Sequence, residues 1–357
     1  MPQVRAEAAR ASGDRACRIG IGCGVVVLRG RSSFPTAESG GRLLRMSVLG
    51  IDIGGTKLAG GIVDAEGKML LRGEVPTLAR EGLEPVLGRI VGLGQDILES
   101  AAAGKEPVQR IGVGCAGPVD IRAGKVFNPP NLPGWAEVPL AQRIEAALGL
   151  PAVLENDANA AALGEFRYGA GKGARSLVYL TVSTGIGGGI ILDGKVWHGL
   201  KDAAGEVGHM TVCPDGPVCG CGNRGCLEAM ASGPSIARRA RQAMASGRPT
   251  RLREVSQPTS ADVVSLAREG DAIAREVWDE AVRYLGIGVA TVITILAPER
   301  VVLGGGVTKA GDFLFEPLRA EVRRRVKLVP VESVPILPAA LGPDVGILGA
   351  AAVAMGE

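Results

Sequence analysis

Three kinds of residue in this chain could do chemistry. The first is a cluster of soft metal ligands. His209 is followed by Cys219, Cys221 and Cys226, a spacing of H-x9-C-x-C-x4-C. One imidazole and three thiolates suit a closed tetrahedral Zn²⁺ site with no position left for catalysis. Cys213 lies nearby as a competing ligand, whereas Cys17, Cys23 and Cys115 read as plain thiols and His198 as a structural histidine. The second is an acid at the mouth of a helix. Leu154-Glu155-Asn156-Asp157 closes a short apolar run and opens an Ala-rich helical pattern. Asp157 there is either a helix cap or a general base that takes a proton from a substrate hydroxyl, with Asn156 bonding a neighbouring hydroxyl. The third is a pair of acids tied to the cysteine loop. Glu206 precedes His209 by three residues and Glu228 follows Cys226 by two. They are either solvated acids or acceptors for vicinal hydroxyls, the pattern a sugar presents.

Glycine-rich turns add a way to hold phosphate. Asp52-Ile53-Gly54-Gly55-Thr56-Lys57 sits between two apolar runs, where glycines let backbone N–H groups approach phosphate oxygens. Thr56 and Lys57 could add a hydroxyl and a charge, and Asp52 a ligand for hydrated Mg²⁺. The spacing is not that of a P-loop, and a tight hairpin without a ligand is the competing reading. Ser183-Thr184-Gly185-Ile186-Gly187-Gly188-Gly189 is a matching turn, and Gly304-Gly305-Gly306 after a short apolar run is a third, suited to nucleotide contact.

These turns belong to a repeated unit. Val48–Leu71 and Leu177–His198 each read as apolar strand, glycine turn, apolar strand, short turn ending Gly-Lys, and a third strand. The short turns fall at Asp64–Gly67 and at Asp193–Gly194. A repeat of this kind predicts two related lobes whose glycine loops face each other across a cleft. Between and after the copies, helical patterns at 83–103, 138–148, 157–166, 234–245, 260–268, 271–296, 313–327 and 347–355 alternate with strands at 110–114, 152–154 and 301–303. That alternation predicts an α/β architecture.

Composition excludes several classes. Hydrophobic residues make up 46% and charged residues 22% of 357, enough for a sizeable core and against disorder. Fifty-four glycines are roughly twice the usual ~7% share, and they lack the period of three of collagen. Eleven aromatics and a net charge of +3 argue against a nucleic-acid surface. No apolar run reaches the ~20 residues of a membrane span; Ile21–Leu28 is too short and lacks a cleavage pattern. Clustered cysteines point to a reducing compartment, so the expectation is a soluble cytoplasmic protein. Residues 1–46 are Arg-, Ala-, Gly- and Ser-rich without periodicity. They read either as a disordered extension or as the product of an upstream start, with Met46 the start of the ordered chain.

Taken together, D-I-G-G-T-K at 52–57, G-C-A-G-P at 114–118, N-L-P-G-W at 131–135, E-N-D-A-N-A-A at 155–161, S-T-G-I-G-G-G at 183–189, G-E-V-G-H at 205–209 and C-G-C-G-N-R-G-C-L-E at 219–228 resemble the ROK family of repressors and sugar kinases. Within it the sequence looks most like bacterial ATP-dependent glucokinases. The resemblance covers about residues 47–356. It implies an actin-like, hexokinase-type (ribonuclease H-like) α/β fold of two lobes with an internal repeat. The lobes would be a smaller one at 47–160 and a larger one at 161–357 carrying the zinc loop 209–228, with the C-terminal helix free to return to the small lobe. It implies Asp157 as the base on the sugar 6-hydroxyl. Asn156, Glu206, His209 and Glu228 would hold the other hydroxyls, with Gly117 and Asn131 near the sugar. Asp52, Gly54, Gly55, Thr56, Lys57, Thr184, Gly185 and Gly187 would hold the phosphates of Mg-ATP, and Gly305 and Gly306 would lie near the nucleoside. His209 would turn one ring nitrogen to zinc and the other to the sugar. Family members are often dimers or tetramers, so the expected partners are a sugar, ATP and a second copy, with neither membrane nor nucleic acid. A kinase for N-acetylmannosamine, N-acetylglucosamine, fructose or allose would carry the same acid and zinc loop. A sugar-responsive repressor would need a DNA-binding domain where the short, unpatterned 1–46 stands. Polyphosphate as donor would favour a basic run along the cleft, and none is visible.

Overall fold

The computed structural model describes residues 28–29 and 46–356. Both readings of the remainder of 1–46 lie outside the described residues.

The first lobe is a sheet of β1 (Ser47–Ile53), β2 (Lys57–Val63), β3 (Met69–Pro76), β4 (Val108–Cys115) and β5 (Ala152–Asn156), in the order β3-β2-β1-β4-β5. The first three strands are antiparallel, and β1, β4 and β5 are parallel. Leu28–Arg29 adds a short antiparallel edge along β3. The second lobe repeats this plan with β6 (Leu177–Val182), β7 (Ile186–Leu192), β8 (Lys195–Val196), β9 (Arg300–Gly304) and β10 (Ile336–Pro338), in the order β8-β7-β6-β9-β10. Again the first three are antiparallel and β6, β9 and β10 parallel. The expected internal repeat is therefore real and extends beyond the part legible in sequence. Its fifth strand, Ile336–Pro338, was not anticipated, nor was a small sheet made by Val119–Asp120, Lys125–Phe127 and Glu137–Val138. The helical expectation at 138–148 starts two residues early for that reason: Val138 is in this sheet and α2 runs Leu140–Leu148.

Helices cover the outer faces. α1 (Leu83–Ala103) and α2 bury an apolar stripe against the first sheet, Ile90, Leu93 and Ile97 meeting Leu58 and Ile62 in one core. In the second lobe the 25-residue α7 (Ala272–Leu296) carries Trp278, Leu285, Val289 and Ile293 into a core shared with Val301, Leu303 and the helix α8 (Asp312–Arg325).

Two helices lie between the sheets and join the lobes. α3 (Asp157–Tyr168) follows β5 of the first lobe, yet Ala162 and Leu163 pack with Leu177, Tyr179 and Ile191 of the second. α9 (Val345–Ala354) ends the second lobe, yet Ile347, Leu348 and Ala351 pack with Val48, Ala59 and Val63 of the first. α9 is apolar on every side, as a fully buried helix must be. Its approach is close enough to demand glycine: a Cβ on Gly112 of β4 would overlap the carbonyl oxygen of Ala350, and one on Gly50 of β1 that of Ile347. Among the described residues no helix is long and apolar enough to cross a membrane.

Candidate active site at the lobe junction

The C-terminal ends of parallel strands in an open α/β sheet are where ligands gather. Register puts Asp52 of β1 beside Gly114 of β4, and Cys115 of β4 beside Asn156 of β5. Asp52, Asn156 and Asp157 therefore share one end of the first sheet. The cap of α3 is Asn156, whose Oδ1 accepts from the N–H groups of Ala158 at 2.9 Å and Asn159 at 3.2 Å. The capping task therefore belongs to Asn156 and not to Asp157. Asp157 occupies the first helical turn, where the free N–H groups favour an anion, and its carboxylate accepts from Ala158 N at 2.8 Å. Asn156 Nδ2 reaches back to the carbonyl of Gly117 at 3.4 Å, and Gly117 takes the positive φ that a side chain would resist.

Burial raises the Asp157 carboxyl above the usual carboxylate range. Its backbone hydrogen bonds pull the other way, and the charge of Glu206 adds to the rise. Asp52 is pushed up to about 6, first by burial and then by Asp157, with Lys57 opposing. A divalent cation would relieve the cost that burial and Asp157 place on the charge of Asp52, and carboxylate oxygen is the donor Mg²⁺ takes.

The loop 54–57 is a tight turn, Gly54 N donating to the Lys57 carbonyl at 3.1 Å. Buried Thr77 pins it from the end of β3, its hydroxyl on the Gly54 carbonyl at 2.6 Å and its N–H on the Thr56 carbonyl at 3.0 Å. Gly55 lies against Asn131. Lys57 points to Glu74, at 3.1 Å. In the second lobe the equivalent turn is closed by Ser183 N on the Gly185 carbonyl at 2.9 Å. Gly187 and Gly189 lie against Ala158 and Ala162 of α3, so this loop rests beside the helix that carries Asp157. Gly305 abuts the Val182 backbone and Gly306 faces Ser183, which gathers the third glycine turn at the same place; Thr184, Gly305 and Gly306 are exposed.

The ligand atoms of His209, Cys219, Cys221 and Cys226 lie within 4.8 Å of one another. Cys221 Sγ is 3.7 Å from Cys226 Sγ, and Cys219 Sγ is 3.7 Å from His209 Nδ1. Zn–S bonds of about 2.3 Å in a tetrahedron place sulfurs about 3.8 Å apart, so the spacing fits the ion. The chemistry fits too: burial and the two neighbouring sulfurs push the Cys226 thiol up to about 12, a cost that a bound cation reverses. Cys213 takes no part; it accepts from the Tyr284 hydroxyl at 3.4 Å. His209 turns Nδ1 to the thiols and Nε2 to Glu206, 3.7 Å away. Glu228, on the short helix Leu227–Ala231, accepts at Oε2 from Ile186 N at 2.9 Å and at Oε1 from Cys219 Sγ at 3.8 Å.

The family model for the ROK family matches residues 48–357. The chain belongs to the ROK family. The glucokinase of Thermotoga maritima is 38% identical over 313 residues, covering 87% of this chain and 97% of that protein. The solved structure of a ROK hexokinase from Thermus thermophilus matches with a TM-score of 0.76 at 40% identity, covering 87% of this chain and 98% of the other. A ROK glucokinase from Streptomyces griseus, solved in complex with glucose and AMPPNP, matches with a TM-score of 0.72 at 35% identity over 87% of this chain and all of the other. The two-lobe ROK architecture is thus the actin-like sugar-kinase fold expected from the motifs.

One buried group was passed over in the sequence. Glu155 is 3% exposed, and its carboxylate accepts from Asn156 N at 2.9 Å, Asn159 Nδ2 at 3.1 Å and His198 Nε2 at 2.8 Å. His198, expected to be a structural histidine, is its partner from the second lobe. Nothing in local spacing links it to a residue 43 positions earlier; the signal available was an acid in an otherwise apolar strand.

Proposed function

We propose that this chain is an ATP-dependent glucokinase, transferring the γ-phosphoryl group of ATP to the 6-hydroxyl of glucose with Asp157 as general base. The observation that carries the reading is the seat of Asp157. It stands on the first turn of α3, freed from capping by Asn156, raised by burial, beside the glycine loop of the second lobe and on the same sheet end as Asp52. A base with a raised pKa is a better proton acceptor near neutral pH, and it needs no strong basicity because phosphoryl transfer draws the proton off late.

Glucose would sit where Asn156, Glu206, His209 and Glu228 converge, with Gly117 and Asn131 at its first-lobe side. The turns at 54–57 and 183–187 would offer backbone N–H groups to the phosphates, donors already held in place by Thr77 and by the hairpin bonds and so needing no reorganisation. Gly305 and Gly306 would leave room for the nucleoside. Asp52 would hold Mg²⁺, which when bound neutralises charge on the β- and γ-phosphates. Zinc in the cysteine cluster would be structural, holding His209 and the start of the Glu228 helix in register. Closure of the lobes on both substrates would exclude water that could otherwise accept the phosphoryl group.

The test is a coupled ADP-release assay with Mg-ATP over glucose, N-acetylmannosamine, N-acetylglucosamine, fructose and allose, with Asp157→Ala alongside. Turnover on glucose that is lost in the variant supports both substrate and base. Turnover on another sugar alone keeps the mechanism and replaces the substrate. Binding of sugar without turnover of any would overturn the kinase reading.

A further inference from the structure

Glu155 immediately precedes the two residues that carry the proposed chemistry, and it is the one acid of β5 and is buried. A carboxylate is an acceptor only, and a buried one is costly unless donors surround it. Here three donors do so. Two are local: the N–H of Asn156 and the amide of Asn159, one turn into α3. The third is His198, which therefore carries hydrogen on Nε2. His198 lies just beyond β8, so this bond crosses from the second lobe to the strand end of the first. Four residues further on, Asp202 Oδ2 accepts from the N–H of Ile121 in the first lobe at 3.1 Å. The stretch 198–202 is thus fastened to the first lobe at two points, and it leads directly into Glu206 and His209.

We infer that the Glu155–His198 pair positions the base: it locks the β5–α3 corner, and with it Asn156 and Asp157, against the loop that brings Glu206 and His209 to the sugar. The inference rests on Asp157 being the base. His198 touches no reacting atom; it acts through Glu155. Removing its N–H leaves a buried carboxylate short of one donor and frees the corner to shift. A displacement of about 1 Å at a reacting group can cost about 100-fold in rate.

The experiment compares the full chain with His198→Ala, His198→Gln, Glu155→Gln and Asp157→Asn, reading kcat, both KM values, sugar affinity by calorimetry in the absence of ATP, and melting temperature. For His198→Ala, kcat falls by about 10- to 100-fold while KM for ATP stays within about two-fold. His198→Gln, whose terminal amide can reach the place of Nε2, recovers most of the loss. Glu155→Gln, which keeps the shape but presents an amide N–H₂ to one of the donors, also loses kcat; it and His198→Gln decide the matter should His198→Ala melt below the assay temperature. Unchanged kcat in His198→Ala, or a loss of sugar affinity as large as the loss of kcat, or no difference between the Ala and Gln variants, would overturn the inference. Normal turnover in Asp157→Asn would instead strike down the base, whatever His198 does.

Discussion

The carboxylate of Glu228 accepts a hydrogen bond from the backbone N–H of Ile186 at 2.9 Å. The residue that follows the last cysteine by two is thereby fastened to the glycine turn of β6 and β7, and a Cβ on Gly185 would press on the same carboxylate. Its other oxygen faces Cys219. One side chain therefore links the cysteine cluster to the loop proposed to hold phosphate. The cysteine cluster and the glycine turns proposed to hold phosphate are therefore neighbours on one continuous scaffold.

Losing the base should separate chemistry from binding. Asp157→Ala is expected to lower kcat by about 10²–10⁴, the range for removal of a general base. Glucose affinity measured by calorimetry should change far less, since Asn156 and not Asp157 caps α3. A variant turning over within ten-fold of the parent would remove Asp157 from the mechanism.

Zinc content and sugar affinity should fall together. Cys219→Ser breaks the tetrad and is expected to lose zinc measured by elemental analysis, with a raised KM for glucose and little change in KM for ATP. The direction follows from His209, which faces the cluster with one nitrogen and Glu206 with the other. Zinc-free protein with an unchanged glucose KM would refute the structural role.

Asp52 should make the protein less stable as pH rises. Its folded-state pKa is about 6 against 3.8 unfolded, so the folded chain binds the extra proton between those values. Stability then falls as pH rises through that window, and the cost is complete above it. Two pKa units correspond to at most about 3 kcal/mol. Asp52→Asn should therefore melt above the parent at pH 8 without Mg²⁺, the difference vanishing near pH 4, and turn over poorly with Mg-ATP. Equal melting points at pH 8 would contradict the assignment.

The lobe junction should tolerate no methyl group. Gly112→Ala sets a Cβ on the Ala350 carbonyl, backbone against backbone, where neither can rotate away. The expected cost is about 3 kcal/mol or more, a fall of roughly 5–10 °C in melting temperature. Gly88→Ala on α1, where nothing lies within 4 Å, serves as the control and should be neutral or stabilising. A Gly112→Ala protein as stable as the parent would show that α9 can move off the sheet.

Much of this molecule was written locally. The candidate metal ligands share one loop within 18 residues of sequence, so type and spacing alone singled them out, and their side chains do converge. The first two glycine turns were visible because each sits between two apolar strands. The duplication was visible because both copies begin with the same strand–turn–strand pattern. Helix α6 (Ser260–Arg268) was legible to the residue, and in the structure a Thr259–Asp262 capping box closes its start.

What the chain could not disclose locally depends on elements distant in sequence meeting in space. That α3 packs on the second lobe is decided by which sheet its alanine face meets, and the return of α9, which the resemblance allowed, by which sheet can take an all-apolar helix at glycine distance. Whether Asn156 or Asp157 caps α3 turned on the backbone angle at the corner. The bond from His198 to Glu155 spans the two lobes, and the hold of Glu228 on Ile186 joins the cysteine loop to a glycine turn 42 residues away. Periodicity and spacing report what a segment needs to bury or bind; only the packed structure decides which partner meets that need, because burial and hydrogen bonding are satisfied by proximity in space, not along the chain.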